Sequence, residues 1–301
     1  MRARACVVAA LVLASLGSGL PAAAQSAGIV ADRFVPGVGP LTLLAGEGAE
    51  VTAKARLSWG LSLSLIRDPI RLRTQVVGAL VSVPVSQQLG LDFSMEAGIW
   101  KRFAVAIGVP AVLQASGDRL AVAGDPRRLS APVGGDLRLR VKVAFIGDPS
   151  RRGLHLGALL QLTVPLNGKD DFAASETVTV EPRLLADVRL GRLLLVAAIG
   201  VRFQNERRLF LTTFGDELTW LGGAGLRVVE HGRFAGSLVA EVAGFVGPSP
   251  GTRPIEVRGA ARLEHGAFAL DLGAGGGVVH EVAAPAWRVL AVLRHSFDVL
   301  P

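Results

Sequence analysis

Arg138, Arg140 and Lys142 stand at every second position, and in an extended chain that spacing sets three cations on one face. Such a stack can act in two ways. Lining a channel, it attracts anions. Facing carboxylates inside a wall, it forms an ion-pair ladder, because enclosed charges must be paired or hydrated. The same alternate-position arrangement recurs with Lys54 and Arg56, Asp92 and Glu96, Glu181 and Arg183, Asp187 and Arg189, and Glu256 with Arg258 and Arg262. Arg288 and Arg294 extend the set. Bases exceed acids on this face. The expectation is a charged inner surface with these residues as pore-lining candidates and a weak preference for anions. A salt-bridged, plugged interior without transport is the alternative that the residues leave open.

Other chemistry is hard to assemble. The five histidines are His155, His231, His265, His280 and His295, and no pair has zinc-ligand spacing. The single cysteine, Cys6, lies in the N-terminal leader, so the mature chain offers no disulfide and no thiolate. Gly273–Gly277 is glycine-rich but sits inside a strand pattern, where glycine serves bending or close approach rather than phosphate binding. His295 and Ser296 could suggest an outer-wall hydrolase, yet adjacent strand residues project to opposite faces. No catalytic residue, cofactor or metal is expected, and the chain is not expected to be an enzyme.

The elements that must position the charged face are strands. From Val51 to Leu65 apolar residues alternate with Thr52, Lys54, Arg56, Ser58, Ser62 and Ser64. Period-two stretches follow at 79–99, 102–114, 135–146, 153–166, 177–190, 193–205, 217–229, 233–246, 255–265, 267–279 and 286–297. With 51–65 this predicts an all-β, antiparallel, up-and-down transmembrane barrel of about 12 strands, within a range of roughly 10–14. The segments are longer than ordinary soluble strands of about 5–6 residues. Connections alternate between short turns (Trp100-Lys101, Gly147 to Arg152, Gly191-Arg192, Glu230 to Gly232, Glu264 to Gly266) and long ones (66–78, 115–134, 167–176, 206–216, 247–254, 280–285). Outer-membrane barrels have that asymmetry, with the short turns periplasmic. Trp59, Trp100, Trp220 and Trp287, with Phe103, Phe203, Phe234 and Phe297, are candidate interfacial girdle residues. A soluble secreted barrel or sandwich, with its apolar face inside, is the competing architecture.

Composition agrees with the barrel. The 301 residues are 50% hydrophobic and 19% charged, and the mean hydropathy is +0.45. That apolar content is spread out, since no run beyond the leader reaches the ~18 uncharged apolar residues of a spanning helix. The formal charge of +7 comes from bases interspersed with acids, not from the basic patch with exposed aromatics of a nucleic-acid binder. Arg2 and Arg4, the apolar stretch Cys6–Leu16 and the small residues Ala22–Ala24 form a secretory signal with cleavage expected after Ala24.

Asp32-Arg33-Phe34-Val35-Pro36, Arg67-Asp68-Pro69, Gly135-Asp136-Leu137-Arg138 and Gly215-Asp216-Glu217-Leu218 carry a family resemblance. On them the mature chain is similar to the barrel portion of OmpA-family outer-membrane proteins of the myxobacterial type. The resemblance implies an outer-membrane barrel, sometimes a transporter. The chain reaches Pro301 without the acidic linker and peptidoglycan-binding module of such proteins, so peptidoglycan anchoring is not expected. The expected organisation is a signal peptide at 1–24, a periplasmic N-terminal segment at 25–50, the barrel at 51–297 and a tail at 298–301. The expected location is the outer membrane of a Gram-negative bacterium. The expected partners are outer-membrane lipid, small anionic solutes and the barrel-assembly machinery during biogenesis, with no nucleic acid. The loop 115–134, carrying Asp118, Arg119, Asp125, Arg127 and Arg128, is the candidate plug or partner surface.

Overall fold

A computed structural model describes residues 29–39, 42–52, 55–73, 80–116, 132–147, 153–166, 172–209 and 212–298. The signal segment, Lys54, the residues 118–128 of the candidate plug loop and the tail beyond Asp298 lie outside them.

Alternation of apolar and polar side chains, period two, builds strands that are apolar on one face only. These are β1 (Arg56–Arg67), β2 (Val85–Trp100), β3 (Phe103–Ser116), β4 (Leu137–Ile146), β5 (Gly153–Val164), β6 (Thr179–Leu190), β7 (Leu193–Arg202), β8 (Glu217–His231), β9 (Phe234–Val246), β10 (Ile255–His265), β11 (Phe268–Val279) and β12 (Trp287–Asp298). Each pairs antiparallel with its sequence neighbour, and β1 also pairs with β12, from Arg56 opposite Asp298 to Arg67 opposite Trp287. The 12-stranded sheet is therefore a closed barrel with no free edge. Short pairs decorate the long-loop rim, Leu72–Arg73 with Leu80–Ser82 and Arg207–Leu209 with Thr212–Phe214.

The register sets the two faces. Ser58, Ser62, Ser64, Asp92, Glu96, Arg138, Arg140 and Lys142 turn inward and are buried. Leu63, Leu91, Phe93, Val109, Leu160, Leu184, Ile199, Leu238, Leu272 and Val289 turn outward and are exposed. A soluble barrel or sandwich would bury that apolar set, so the inside-out arrangement runs against the competing architecture. His295 and Ser296 do project to opposite faces. Ser296 meets Ser58 at 2.8 Å inside, while His295 stacks outside on Phe297 with ring centres 5.5 Å apart.

The first strand starts later than its alternation predicts. Val51 and Thr52 are buried within the barrel, and Ala55 takes a left-handed backbone with φ of 63°. That turn breaks the extended path, so β1 begins at Arg56, although the apolar-polar pattern runs through 51–55. Three of the two-residue turns are set by glycine, while Lys101-Arg102 between β2 and β3 holds none. Gly191, Gly232 and Gly266 have φ of 63°, 59° and 61°, each at the first position of a two-residue connection. This is the conformation that favours glycine in a type II′ hairpin. Gly232→Val is expected to lower the unfolding free energy by about 1–2 kcal/mol, the cost of holding an L-residue there. Urea titration of the refolded protein measures it, and an unchanged midpoint would remove the turn from the constraints on closure.

Candidate functional site

The interior is not an open tube. Residues 29–39 and 42–52 run through it. The order of their contacts gives the path. Ile29 and Ala31 pack with Ile70, Phe172, Phe214 and Val282, all at the long-loop rim. Asp32 then meets Arg288 of β12 at 2.9 Å, and Arg33 meets Glu217 of β8 at 2.6 Å. Arg258 and Arg288 stack over the Phe34 ring at 4.9 and 5.0 Å. From Gly37 the chain doubles back in a tight hairpin, closed by Gly37 N–H to Leu44 O and Leu43 N–H to Gly46 O. Further on, Ala49 N–H donates to Asp187 and Thr52 Oγ1 donates to Glu96. The Ala55 N–H to Gly98 O bond ties the exit to the short-turn rim. Contacts to strands all around a closed wall require this segment to lie inside. The described part of 25–50 is thus not a periplasmic tail but a lumenal strap.

Apolar burial anchors the strap. Leu43 and Leu44 are 1% and 0% exposed and pack with Phe34 against Val196, Val239, Leu290 and Val292. Full burial of each leucine contributes about 1.5–3 kcal/mol. Glu241 on β9 fixes the hairpin, accepting from the N–H groups of Leu44, Ala45 and Gly46 at 2.8, 3.0 and 2.7 Å. From the other side Arg262 donates to the carbonyls of Thr42 and Leu43, and Arg294 to those of Gly37, Leu43 and Leu44. A hairpin buried in a charged wall thus has its backbone groups matched by side chains, as buried polar groups require. The wall leaves room where needed: a Cβ on Gly223 would stand 2.5 Å from a Leu43 methyl.

Most of the pore-lining candidates meet in this interior, nearly all as pairs. Arg138 is bonded to Asp92. Arg140 is bonded to Glu47 of the strap, and Lys142 bridges Glu47 at 3.5 Å and Glu96 at 3.2 Å. Glu181 holds Arg183 at 2.7 Å and Arg202 at 3.0 Å. Asp187 accepts from His155 Nδ1 at 2.6 Å, and Arg189 is bonded to Glu50. Arg258 lies 3.5 Å from Glu241, Arg262 is 2.6 Å from Asp271, and Glu256 is 2.6 Å from Arg288. Arg56 departs from the expectation: it sits half-exposed at the short-turn rim, paired with Asp298 at 2.9 Å. Arg227 is likewise at that rim, 3.0 Å from Glu264, and Arg102 and Arg233 are exposed there. The excess of bases counted along the strands therefore sits partly at the rim, and inside it meets acids of the strap. Sequence reasoning missed Asp32, Glu47 and Glu50 as lumenal groups. The available signal was the apolar content of Ile29, Phe34, Val38, Leu43 and Leu44, too high for a solvated tail.

Among the described residues, cavities of about 120 Å³ and 60 Å³ lie beside the strap. The larger lies in the long-loop half, between Asp32, Gln88, Asp92, Arg138, Gln161 and Arg207. Asp136, just before β4, opens onto it. Its Oδ2 accepts from Ser175 N–H at 2.8 Å, while its Oδ1 is buried with no hydrogen-bond partner. Among the described residues no cation comes within ion-pair distance of it. Burial pushes the Asp136 carboxyl above the usual aspartate range, outweighing the pull of Ser175 and of the more distant Arg207 and Arg202.

No protein-family model matches the chain, and no curated protein matches it. Solved structures do. An outer membrane channel from Pseudomonas putida F1 superposes with a TM-score of 0.60 at 14% identity, covering 83% of this chain and 98% of that one. A NanC porin matches with a TM-score of 0.49 at 7% identity, covering 79% of this chain and 98% of that one. At these identities the likeness is one of fold, a closed antiparallel barrel.

Two expectations follow from the interior. Glu241→Gln weakens the hairpin cradle and leaves Arg258 without its acid, and should cost about 3–5 kcal/mol, the usual effect of breaking a buried pair. Urea unfolding and protease sensitivity of the strap read it out. Asp136→Asn should do the opposite. An acid whose folded pKa is raised loses stability as pH climbs from its unfolded value of about 3.9 towards its folded one. Removing the charge should hold or raise the unfolding midpoint at neutral pH and make no difference below about pH 3.9, where both states are protonated. A lower midpoint at pH 7 would assign Asp136 a stabilising partner.

Proposed function

We propose that the protein is an outer-membrane barrel of a Gram-negative bacterium whose lumen is a narrow, strap-closed pore for small solutes. The observation that carries this reading is the placement of residues 29–39 and 42–52, which occupy the interior of the barrel with small cavities beside them. The outward leucines, valines and phenylalanines support the lipid location, since a closed barrel satisfies its backbone internally and can present such a face to hydrocarbon. On this reading the short turns face the periplasm, the barrel-assembly machinery inserts the chain, and residues 1–24 are a cleaved export signal. The resemblance to the barrel portion of OmpA-family proteins of the myxobacterial type belongs to the same reading.

The anion preference depends on the strap. With the strap docked, Asp32, Glu47 and Glu50 answer Arg288, Arg140, Lys142 and Arg189 of the wall. Its own Arg33 returns one positive charge, to Glu217. Displacement therefore removes more acid than base and leaves a positive wall that favours anions. The depth of burial of Leu43 and Leu44 supports a second reading, a structural barrel in which the strap never leaves.

Planar-bilayer recording separates the two. The native protein is expected to show rare or small openings. Glu47→Ala with Glu50→Ala should raise the open probability at least several-fold, with permeability for chloride above potassium. Folded native and double-variant barrels that both insert and stay silent would overturn the pore and leave the structural reading.

A further inference from the structure

The larger cavity is more than a gap left by packing. Gln88 is 1% exposed, and both its amide nitrogen and its amide oxygen lack a hydrogen-bond partner. Gln161 Oε1, Asp92 Oδ1 and Asp136 Oδ1 are buried and unmatched in the same way. All four residues line this one space. Buried polar groups are rarely left unpaired, and each such group costs free energy unless something fills it. Asp136 adds a carboxylate that no protein cation approaches to ion-pair distance among the described residues. Unlike the other lumenal acids it is left for a partner from outside.

The cavity also limits that partner's size and charge. A volume of about 120 Å³ is below that of an engineered 150 Å³ protein cavity that accepts benzene, so it suits a solute of roughly five or six heavy atoms. A bare cation would meet Arg138, which also lines the space and has its Nε unmatched, and a bare anion would meet Asp92 and Asp136. A molecule with both charges a few ångströms apart satisfies both ends.

We propose that this cavity binds a compact zwitterion of the small α-amino-acid class, its ammonium at Asp136 and Gln161 and its carboxylate towards Arg138, whose Nε is buried without a hydrogen-bond partner. Gln88, with one free donor and one free acceptor, closes on either group. The site rests on the pore reading only for its route of entry from the long-loop rim; binding itself requires no conduction.

The test is equilibrium dialysis of radiolabelled glycine against the full-length protein in detergent micelles, with methylammonium, acetate and glycerol as competitors. The expected result is saturable binding of one glycine per barrel, with each competitor at least about tenfold weaker. Asp136→Asn should weaken glycine at least about tenfold, since a charge-assisted hydrogen bond is lost. Gln88→Leu, which touches no ion pair, is the second variant, and folding of each is verified by heat-modifiable gel migration. Absence of saturable glycine binding to the folded native barrel would mean that water alone fills the cavity, and would overturn the proposal. So would methylammonium or acetate competing as well as glycine, or both variants folding and keeping full affinity. Glycine binding by a barrel silent in bilayers would overturn the pore and leave the site standing; conduction without glycine binding would do the reverse.

Discussion

Closing a sheet on itself forces every second side chain into a space that has little water, and charge neutrality in that space governs the rest of this structure. The wall places Arg138, Arg140 and Lys142 on one strand and Arg288 and Arg294 on another, all buried. The Coulomb cost of gathering such charges in a low-dielectric interior is many kcal/mol unless each meets an opposite charge or a carbonyl dipole. Other strands of the wall, adjacent or one strand further round, supply Asp92, Glu96, Asp271 and Glu256. The strap supplies the remainder, Asp32, Glu47 and Glu50, and contributes carbonyls of Gly37, Leu43 and Leu44 to Arg294. The strap is therefore part of the electrostatic design of the wall, and the wall is part of the fold of the strap.

This reciprocity explains a hairpin that has almost no support of its own. Its few internal backbone bonds would not hold a short two-stranded hairpin in water. Here Glu241 caps three of its N–H groups, two arginines take its carbonyls, and Leu43 and Leu44 enter an apolar pocket on β7, β9 and β12. Burial of the leucines supplies the affinity, while the ion pairs mainly fix register. A displaced strap would leave unpaired charge on both sides, which is the usual reason that breaking buried pairs is so costly even where forming them stabilises little. The same balance sets a high threshold for opening and a defined closed state.

The barrel itself was legible in the sequence because one signal, period-two alternation, governs twelve strands independently. The ends of β4, β9, β10 and β12 fall within about two residues of where that alternation predicts them. Alternation overreaches at 79–84, where Leu80–Ser82 pairs with Leu72–Arg73 and β2 opens only at Val85, and again at the start of β1. Val51 and Thr52 read as the start of β1, yet they are the last turn of the strap, separated from β1 by the left-handed Ala55. The strap was illegible for a related reason. Its acids are spaced 15 and 3 positions apart at Asp32, Glu47 and Glu50, with no period, and each answers a base more than 90 positions away. Pairings at such separations carry no local pattern. What could be read was the face a residue occupies; what could not be read was who stands opposite it.

Asp136 marks the limit of the neutrality argument. The wall pairs Asp92, Glu181, Asp187, Glu241 and Asp271 with protein groups. Among the described residues Asp136 is met only by Ser175. If the interior were selected for stability alone, an asparagine would accept the same N–H without the burial cost of a carboxylate. Gln88 makes the same point without charge, since a leucine would fill its place without two unmet hydrogen bonds. Both departures face the larger cavity, in the half of the barrel nearest the long loops, whereas the opposite half is closed by Glu47, Lys142 and the Asp271 cluster. Unmatched atoms of charged groups elsewhere, such as those on Arg140, Glu217 and Arg258, belong to side chains that hold an ion-pair partner through another atom, whereas Asp136 has no such partner among the described residues and neither amide atom of Gln88 is matched. That contrast, at two residues facing one cavity, argues for a recognition surface rather than a random imperfection of packing.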